Sequence, residues 1–186
     1  MKGKIFVITG TSGSGKTTLA NAIIKHSELN LSRVVSYTSR SPRGGEKNGV
    51  HYNFISREQF EKFIEQGEFF EHAEVYGNYY GSLKNDVNCL LDSGKNVLFV
   101  IDVQGAETIK RREEEIVTIF VRTSSINELR KRIEKRGEDS PEKINQRLET
   151  AKFEEEKASL FDHVLVNDVL SKSINELCEL IKKKIL

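Results

Sequence analysis

The sequence lacks several residue types and patterns, and each lack excludes a class of protein. Its 186 residues include no tryptophan and only two cysteines, Cys89 and Cys178, which are too far apart for a disulfide framework or a metal site of ordinary spacing. No apolar run is long enough to span a membrane, and the first run is too short for the core of a secretory signal, so we expect a cytoplasmic protein. The net charge of +1 provides no overall field for nucleic acid or an acidic membrane surface, and we expect neither as a partner.

The first informative stretch lies near the N-terminus. The run Ile-Phe-Val-Ile at residues 5–8 predicts a buried strand, and Gly-Thr-Ser-Gly-Ser-Gly-Lys-Thr at residues 10–17 fits the phosphate-loop pattern G-x-x-x-x-G-K-[ST]. In such a loop, backbone N–H groups cradle phosphate oxygens, Lys16 reaches the β- and γ-phosphates, and the Thr17 hydroxyl binds Mg²⁺. A surface turn rich in glycine can match the pattern by accident. The strand before the loop and the helical spacing after it favour a nucleoside triphosphate site.

The rest of the chain shows strand and helix patterns in alternation at both ends, with hairpin signals in the middle. Strands are predicted at residues 5–8, 34–37, 51–55, 69–76, 79–80, 97–103, 116–121 and 163–166. Helices are predicted after the phosphate loop and at residues 57–66, 83–91, 126–133, 141–157 and 174–185. This alternation predicts an α/β domain over residues 1–186, with a parallel sheet and helices on both of its faces.

Two insertions interrupt the predicted core. One is β-rich and spans about residues 36–82, and the other spans about residues 132–147. The core is then made of about residues 1–35, 83–131 and 148–186.

Arginines stand in two loop-like clusters, one at Arg40 and Arg43 and the other at Arg132, Arg136 and Arg147. Guanidinium groups pair bidentately with phosphate oxygens. If a phosphoryl group is transferred to another phosphate, arginines and Mg²⁺ must offset the repulsion, and no general base is needed. Each arginine taken singly is equally compatible with a solvated surface position. The acidic runs at residues 113–115 and 154–156 are interpreted as solvated faces.

Further strings narrow the choice of reaction. Arg-x-x-Arg-x-x-Glu, Asn-Tyr-Tyr-Gly and Asp-x-Gln-Gly follow the phosphate loop in this order and are far more specific than the loop alone. They lie in matching segments at residues 10–17, 36–46, 48–54, 67–73, 77–81, 101–105 and 166–168. On these residues the chain resembles the guanylate kinase family from end to end. The resemblance implies the fold of P-loop nucleoside monophosphate kinases, with a β-rich GMP-binding insertion and a small helical lid.

The resemblance also implies transfer of a phosphoryl group from ATP to GMP, with Mg²⁺ as cofactor, in purine nucleotide metabolism. The residues implied for ATP are Gly10, Thr11, Ser12, Gly13, Ser14, Gly15, Lys16, Thr17, Thr18 and Asn167. Those implied for GMP are Ser36, Arg40, Arg43, Glu46, Tyr52, Glu71, Tyr80, Gly81, Ser82 and Asp102. The catalytic set is Lys16, Arg40, Arg43, Arg132, Arg136 and Arg147, and the metal residue is Thr17.

Individual roles follow from the same resemblance. Glu71 accepts hydrogen bonds from N1 and N2 of guanine, where adenine presents an acceptor instead, so the mismatch discriminates by on the order of 10⁴-fold. Arg40 and Arg43, with Tyr52 and Tyr80, hold the phosphate of GMP. The arginines of the second cluster swing over the transferred group when the lid closes.

One departure and two alternatives remain. The family usually carries an acidic residue two positions before Asp102, whereas this chain has Val100. A catalytically silent module that binds proteins is one alternative, disfavoured by the presence of Lys16 and Arg40. A P-loop kinase for another small phosphorylated acceptor is the second, disfavoured by Glu71. The oligomeric state and the use of dGMP stay open.

Overall fold

The first strand, β1 (Ile5–Gly10), occupies the centre of the main sheet, and every one of its residues is buried. The computed structural model describes residues 2–75, 77–112, 115–137 and 139–185, and of Arg112 and Arg136 only the backbone. Strand β1 pairs in parallel with β7 (Asn96–Val100) and β8 (Ile116–Arg122). Strands β2 (Leu31–Arg33) and β9 (His163–Val166) extend the parallel sheet to the order β2-β7-β1-β8-β9. Such a sheet needs cover on both faces.

Helices provide that cover, and alternate residues of β1 point to the two layers. Phe6 and Ile8 pack with α1 (Lys16–Ile23) and α7 (Leu170–Ile185). Ile5 and Val7 face the other layer, which α3 (Lys84–Asp92) and α4 (Val103–Arg112) form. The predicted parallel sheet with helices on both faces is therefore confirmed.

A second sheet of four strands lies between β2 and α3 in the chain. Its order is β4-β3-β6-β5, and it is mixed, because β3 and β4 are parallel and the other pairs are antiparallel. The strands are β3 (Tyr37–Thr38), β4 (Asn53–Phe54), β5 (Phe69–Val75) and β6 (Asn78–Leu83), and α2 (Arg57–Glu65) covers them. Phe60 of α2 is fully buried and stacks on Phe69 and Tyr79, with ring centres 4.3 and 5.2 Å away.

Two helices form a hairpin after β8. They are α5 (Ile126–Arg136) and α6 (Pro141–Glu156), and each begins at a serine whose hydroxyl accepts a backbone N–H of the first turn. Gly137 ends α5 in the left-handed conformation, with a φ of 66°. The two helices share a small apolar cluster of Leu129, Ile133, Ile144, Leu148 and Ala151.

Most predicted elements are present with shifted ends, but the strand predicted at residues 34–37 is wrong. The chain leaves the main sheet after Arg33, and the Val34 N–H still donates to the carbonyl of Leu98 at 3.1 Å. It then enters the second sheet at Tyr37. The apolar run therefore reflects burial at a crossing between two sheets. Of the hairpin predicted from residue 69, Tyr76 lies outside the described residues.

The strand predicted at residues 97–103 ends at Val100, and helix α4, which follows it, was not predicted. Asp102 explains the error. Its Oδ1 accepts the N–H groups of Gln104 and Gly105 at 2.8 and 3.0 Å, so this residue starts a helix instead of interrupting a strand.

Phe60→Ala should lower the free energy of unfolding by about 3–5 kcal/mol, because it opens a cavity between stacked rings. Urea unfolding followed by circular dichroism measures the effect. Phe153→Ala is the matched control, since that ring is 65% exposed and its loss should cost less than about 0.5 kcal/mol. Equal losses in the two variants would contradict the packing described for α2.

Candidate functional site

The loop between β1 and α1 makes two close contacts that only glycine allows. Gly13 and Gly15 have φ of 93° and 94°, in the region that side chains rarely adopt. A Cβ at Gly13 would lie 3.1 Å from both Ile133 and Leu129, and one at Gly15 would lie 2.5 Å from Nδ2 of Asn167. The loop is thus pressed between α5 and the end of β9.

Lys16, the first residue of α1, curls back over this loop. Its ammonium donates to the carbonyl oxygens of Gly10 and Thr11 at 2.7 and 2.9 Å. The next two residues, Thr17 and Thr18, are exposed. A cation and two hydroxyls therefore stand at the N-terminus of a helix, where the backbone also favours an anion.

The other residues predicted to bind ATP differ in how deeply their side chains are buried. Asn167 is 3% exposed and donates from Nδ2 to the carbonyl of Ser14 at 2.8 Å. The hydroxyls of Thr11 and Ser14 are buried, and the described part of the chain offers them no hydrogen-bond partner. These three side chains lie in the base of the loop, whereas Ser12 and Lys16 face outward.

Glu154 also contacts the loop, so the interpretation of residues 154–156 as a solvated face was wrong for this side chain. Its Oε2 accepts the Ser12 N–H at 3.2 Å. Burial raises the pKa of Glu154, and the nearby charge of Lys16 opposes that rise. A signal was available in the sequence, because Glu154 follows the buried Leu148 and Ala151 at helical spacing.

A cavity of about 530 Å³ connects the loop with the second sheet. The predicted residues that line it are Gly10, Ser12, Gly13, Gly15, Lys16, Thr17, Thr18, Ser36, Arg43, Tyr52, Glu71, Tyr80, Gly81, Asp102 and Arg147. Four further charged residues of the lining were not predicted, namely Arg33, Glu74, Glu154 and Lys157. The sequence offered no signal for Arg33, because the strand predicted at residues 34–37 would place it before a strand; in the structure it ends β2, at the carboxyl edge of a parallel sheet where ligand contacts are usual.

The buried carboxyl group of this cavity belongs to Glu71, which is 2% exposed. Ser82, its partner across β5 and β6, donates to Oε1 at 2.8 Å, and the hydroxyl of Ser36 lies 3.1 Å from that of Ser82. Burial raises the pKa of Glu71 to about 8, and the negative charge of Asp102 adds to the rise. The carboxyl is thus mostly protonated at neutral pH.

Arg40 and its partners form the polar end of the second sheet. Its guanidinium forks onto both carboxylate oxygens of Glu46 at 3.0 Å, and its Nε donates to the Tyr80 hydroxyl at 3.2 Å. The guanidinium carbon also lies 5.6 Å from the ring centre of Tyr52. Glu46 additionally accepts the Arg43 N–H at 2.7 Å, whereas the Arg43 side chain is exposed. Glu46 therefore fixes both the fork and the loop beside it.

The arginines of the α5–α6 hairpin are held by neighbouring groups. Arg132 pairs with Glu128 at 3.1 Å and donates to the Asp168 carbonyl at 3.3 Å. Arg147 pairs with Asp139 at 3.2 Å. The predicted side chain of Arg136 lies outside the described residues.

The described residues offer few side chains that could bind a metal ion directly. Within residues 2–75, 77–112, 115–137 and 139–185, no three His, Cys, Asp or Glu side chains gather closely enough to hold a metal. Asp102 uses Oδ1 to cap α4, and Val100 lines the cavity beside it. In the same ranges, every helix is too short or too polar to cross a bilayer.

Comparison with known proteins gives a consistent picture. The guanylate kinase family model matches residues 2–184. A guanylate kinase from Neisseria gonorrhoeae is 46% identical over 181 residues, covering 97% of this chain and 87% of that protein. One from Alkalilimnicola ehrlichii is 41% identical over 177 residues, covering 95% and 87%. The crystal structure of guanylate kinase from Anaplasma phagocytophilum has a TM-score of 0.82 and 33% identity, covering 100% of this chain and 87% of that chain.

Glu71→Gln should change how stability depends on pH. The pKa of Glu71 is about 8 in the folded state and 4.5 by reference, so between these values the unfolded chain loses a proton that the folded chain keeps. Wild-type stability therefore falls as pH rises through this window, by at most about 1.4 kcal/mol per pH unit. Glutamine has no proton to lose.

The measurement is urea unfolding of both proteins from pH 5 to pH 9. The difference in free energy of unfolding should grow in favour of the variant up to about pH 8 and then level off. Other titratable groups contribute equally to the free energy of unfolding of both proteins, so their contributions cancel in this difference. A difference that stays constant with pH would contradict a buried, protonated Glu71.

Proposed function

The chain belongs to the guanylate kinase family, and from that premise we propose that it transfers the γ-phosphoryl group of ATP to GMP, giving ADP and GDP. One observation carries the proposal most directly. A single cavity is lined by the phosphate loop at one end and by the buried carboxyl group of Glu71 at the other. A triphosphate and a guanine base can therefore be bound with the reacting phosphates between them.

We assign ATP to the phosphate loop. Residues 10–18 surround its phosphates, with Lys16 on the β- and γ-phosphates. Asn167 acts near the adenine and also supports the loop through its hydrogen bond to Ser14. The carboxylate of Glu154 accepts a loop N–H that phosphate oxygens also require, so we expect it to withdraw when ATP binds.

We assign GMP to the second sheet. Glu71 accepts the N1 and N2 hydrogen bonds of guanine, and Ser36 and Ser82 complete the base pocket together with Gly81 and Asp102. Arg40, Arg43, Tyr52 and Tyr80 bind the phosphate, and Glu46 keeps Arg40 in place. Support comes from the Ser82 hydrogen bond to Glu71 and from the bidentate pair of Arg40 and Glu46.

The domain division follows these assignments. We propose a core of about residues 1–35, 83–131 and 148–186, a GMP-binding subdomain of about residues 36–82, and a lid of about residues 132–147. On closure the lid arginines, Arg132, Arg136 and Arg147, move onto the transferred phosphoryl group. Closure also excludes water, which limits hydrolysis of ATP.

In the proposed reaction, an oxygen of the GMP phosphate attacks the γ-phosphorus of ATP. The new O–P bond forms as the bond to the bridging oxygen breaks, and ADP leaves. The attacking oxygen is already ionised, so a general base is not needed. The guanidinium groups orient the two phosphates and offset their repulsion.

Mg²⁺ fits this site. Mg²⁺ is usually held by one or two protein oxygens together with substrate phosphates, and Thr17 presents an exposed hydroxyl beside the loop. When bound with ATP, the ion neutralises charge on the β- and γ-phosphates. We also propose a role in recycling GMP in purine nucleotide metabolism. We propose a cytoplasmic location as well, because the two free thiols, Cys89 and Cys178, suit a reducing compartment.

ADP formation from ATP and Mg²⁺ with GMP, AMP, CMP, UMP or dTMP tests the function. Strong turnover is expected with GMP alone at a pH above about 8, where Glu71 is ionised. There kcat/KM should exceed that for AMP by on the order of 10⁴-fold, because AMP leaves the Glu71 carboxylate unpaired. Failure with all five acceptors by a folded protein that binds ATP would reject the proposal and favour a silent binding module.

Glu71→Gln should reduce kcat/KM for GMP by on the order of 100-fold without a matching loss for AMP, because the amide turns a donor toward the N2 donor of guanine. Steady-state kinetics with both acceptors measures the ratio. Glu68→Gln, at an exposed position just before β5, is the matched control and should leave the ratio unchanged. An unaltered ratio in Glu71→Gln would remove Glu71 from the base pocket.

A further inference from the structure

Arg33 is the last residue of β2 and lies at the edge of the main sheet that faces the cavity. It is paired in register with Leu98 of β7 and half-buried. Its side chain lines the same cavity as Arg43, Tyr52 and Tyr80. A guanidinium at the carboxyl end of a parallel strand is well placed to meet a ligand.

The charge of Arg33 differs from that of the other arginines around the site. Arg40, Arg132 and Arg147 each have a carboxylate within ion-pair distance. For Arg33, neither a carboxylate nor a hydrogen-bond acceptor lies within reach among the described residues. A half-buried charge without a partner is costly, and an arginine keeps its charge at every accessible pH. An anion bound in the cavity removes that cost.

The position of Tyr52 indicates which anion this is. Burial raises the pKa of the Tyr52 hydroxyl, and Arg33 opposes the rise more strongly than Arg40 does. Burial also lowers the pKa of Arg33, and Tyr52 opposes that change. The hydroxyl therefore lies within the fields of both guanidinium groups, on the side where the phosphate of GMP is proposed to bind.

We propose that Arg33 is a third arginine that binds the phosphate of GMP, alongside Arg40 and Arg43. This inference rests on the proposed function and adds to it a residue from the core sheet. Arg40 and Arg43 belong to the inserted subdomain, whereas Arg33 is anchored in the main sheet. Arg33 thus gives the acceptor phosphate a fixed partner on the ATP side of the cavity, so that subdomain closure brings the phosphate against it.

The test compares wild type, Arg33→Met and Arg111→Met. Methionine keeps most of the length of the side chain and removes the charge. Arg111 is an exposed arginine of α4, outside the cavity, and serves as the matched control. Calorimetry gives Kd for GMP, inhibition by guanosine reports the base pocket without the phosphate, and thermal melting reports the stability of the ligand-free protein.

Arg33→Met is expected to raise Kd for GMP about tenfold or more, because a charge-assisted contact to phosphate is lost. Inhibition by guanosine should stay within about twofold, and Tm should be unchanged or higher, because a half-buried unpaired charge has been removed. Arg33→Lys should recover part of the affinity through its charge. Arg111→Met should match wild type throughout.

Three outcomes would overturn the inference. The first is a GMP affinity of Arg33→Met within about twofold of wild type. The second is an equal loss of GMP and guanosine binding with a lower Tm, which indicates a structural role. In both cases a wild type that phosphorylates GMP leaves the proposed function intact. The third is a wild type that neither binds nor phosphorylates GMP, which rejects the proposed function together with the inference.

Discussion

Burial of β1 on both faces is the constraint on which the site depends. Because Phe6 and Ile8 pack toward one helical layer and Ile5 and Val7 toward the other, the strand cannot shift or rotate without exposing apolar surface. The loop that follows is therefore held at a fixed place at the carboxyl edge of the sheet. Its own contacts with α5 and with the end of β9 leave no room for side chains at its inner glycines. Rigidity here comes from tertiary packing, since the loop itself has few regular hydrogen bonds.

Local patterns in the sequence predicted the phosphate loop, the hairpin of β5 and β6, and the helices α5 and α6, because turns, caps and periodicity are written within a few residues. The failures have a different origin. Val34 is buried where the chain crosses between two sheets, and hydrophobic periodicity alone cannot distinguish such a crossing from a hydrogen-bonded strand. Asp102 caps α4, but from sequence it looked like an interruption of a strand. Glu154 was missed because its partner, the Ser12 N–H, is far away in the chain. Contacts between distant segments depend on the topology of the chain, and no short stretch of sequence contains that information.

The cavity combines strong local charges with a nearly neutral chain. Arg40, Arg132 and Arg147 each pair with a carboxylate. The side chains of these pairs are only 7–35% exposed, so breaking a pair is costly unless the guanidinium finds another anion, and in the proposed reaction phosphate takes that place. Glu46 meanwhile keeps the guanidinium of Arg40 near the geometry that phosphate requires, because carboxylate and phosphate both accept two parallel N–H groups. In the proposed function, substrate binding then replaces a carboxylate by a phosphate as the partner of the arginine, and the side chain needs little rearrangement. In the proposed closure of the lid, the ion pair between Arg147 and Asp139 has to break so that this arginine can reach the transferred phosphoryl group.

In the proposed function, guanine selectivity depends on the ionisation of one buried carboxyl group, that of Glu71. A protonated Glu71 offers one donor and one acceptor, a pattern that the N1 and N6 edge of adenine can meet. The ionised form offers acceptors alone, which suits the two adjacent donors of guanine and leaves adenine N1 facing an acceptor. Burial and Asp102 favour the protonated form, whereas the Ser82 hydroxyl favours the ionised form. Guanine adds two more donors, which lower the pKa of Glu71 as the Ser82 hydroxyl does. Guanine binding and the loss of the Glu71 proton therefore favour each other. In this proposal Ser82 contributes to discrimination through Glu71, because its hydrogen bond favours the ionised carboxylate, the form that prefers guanine.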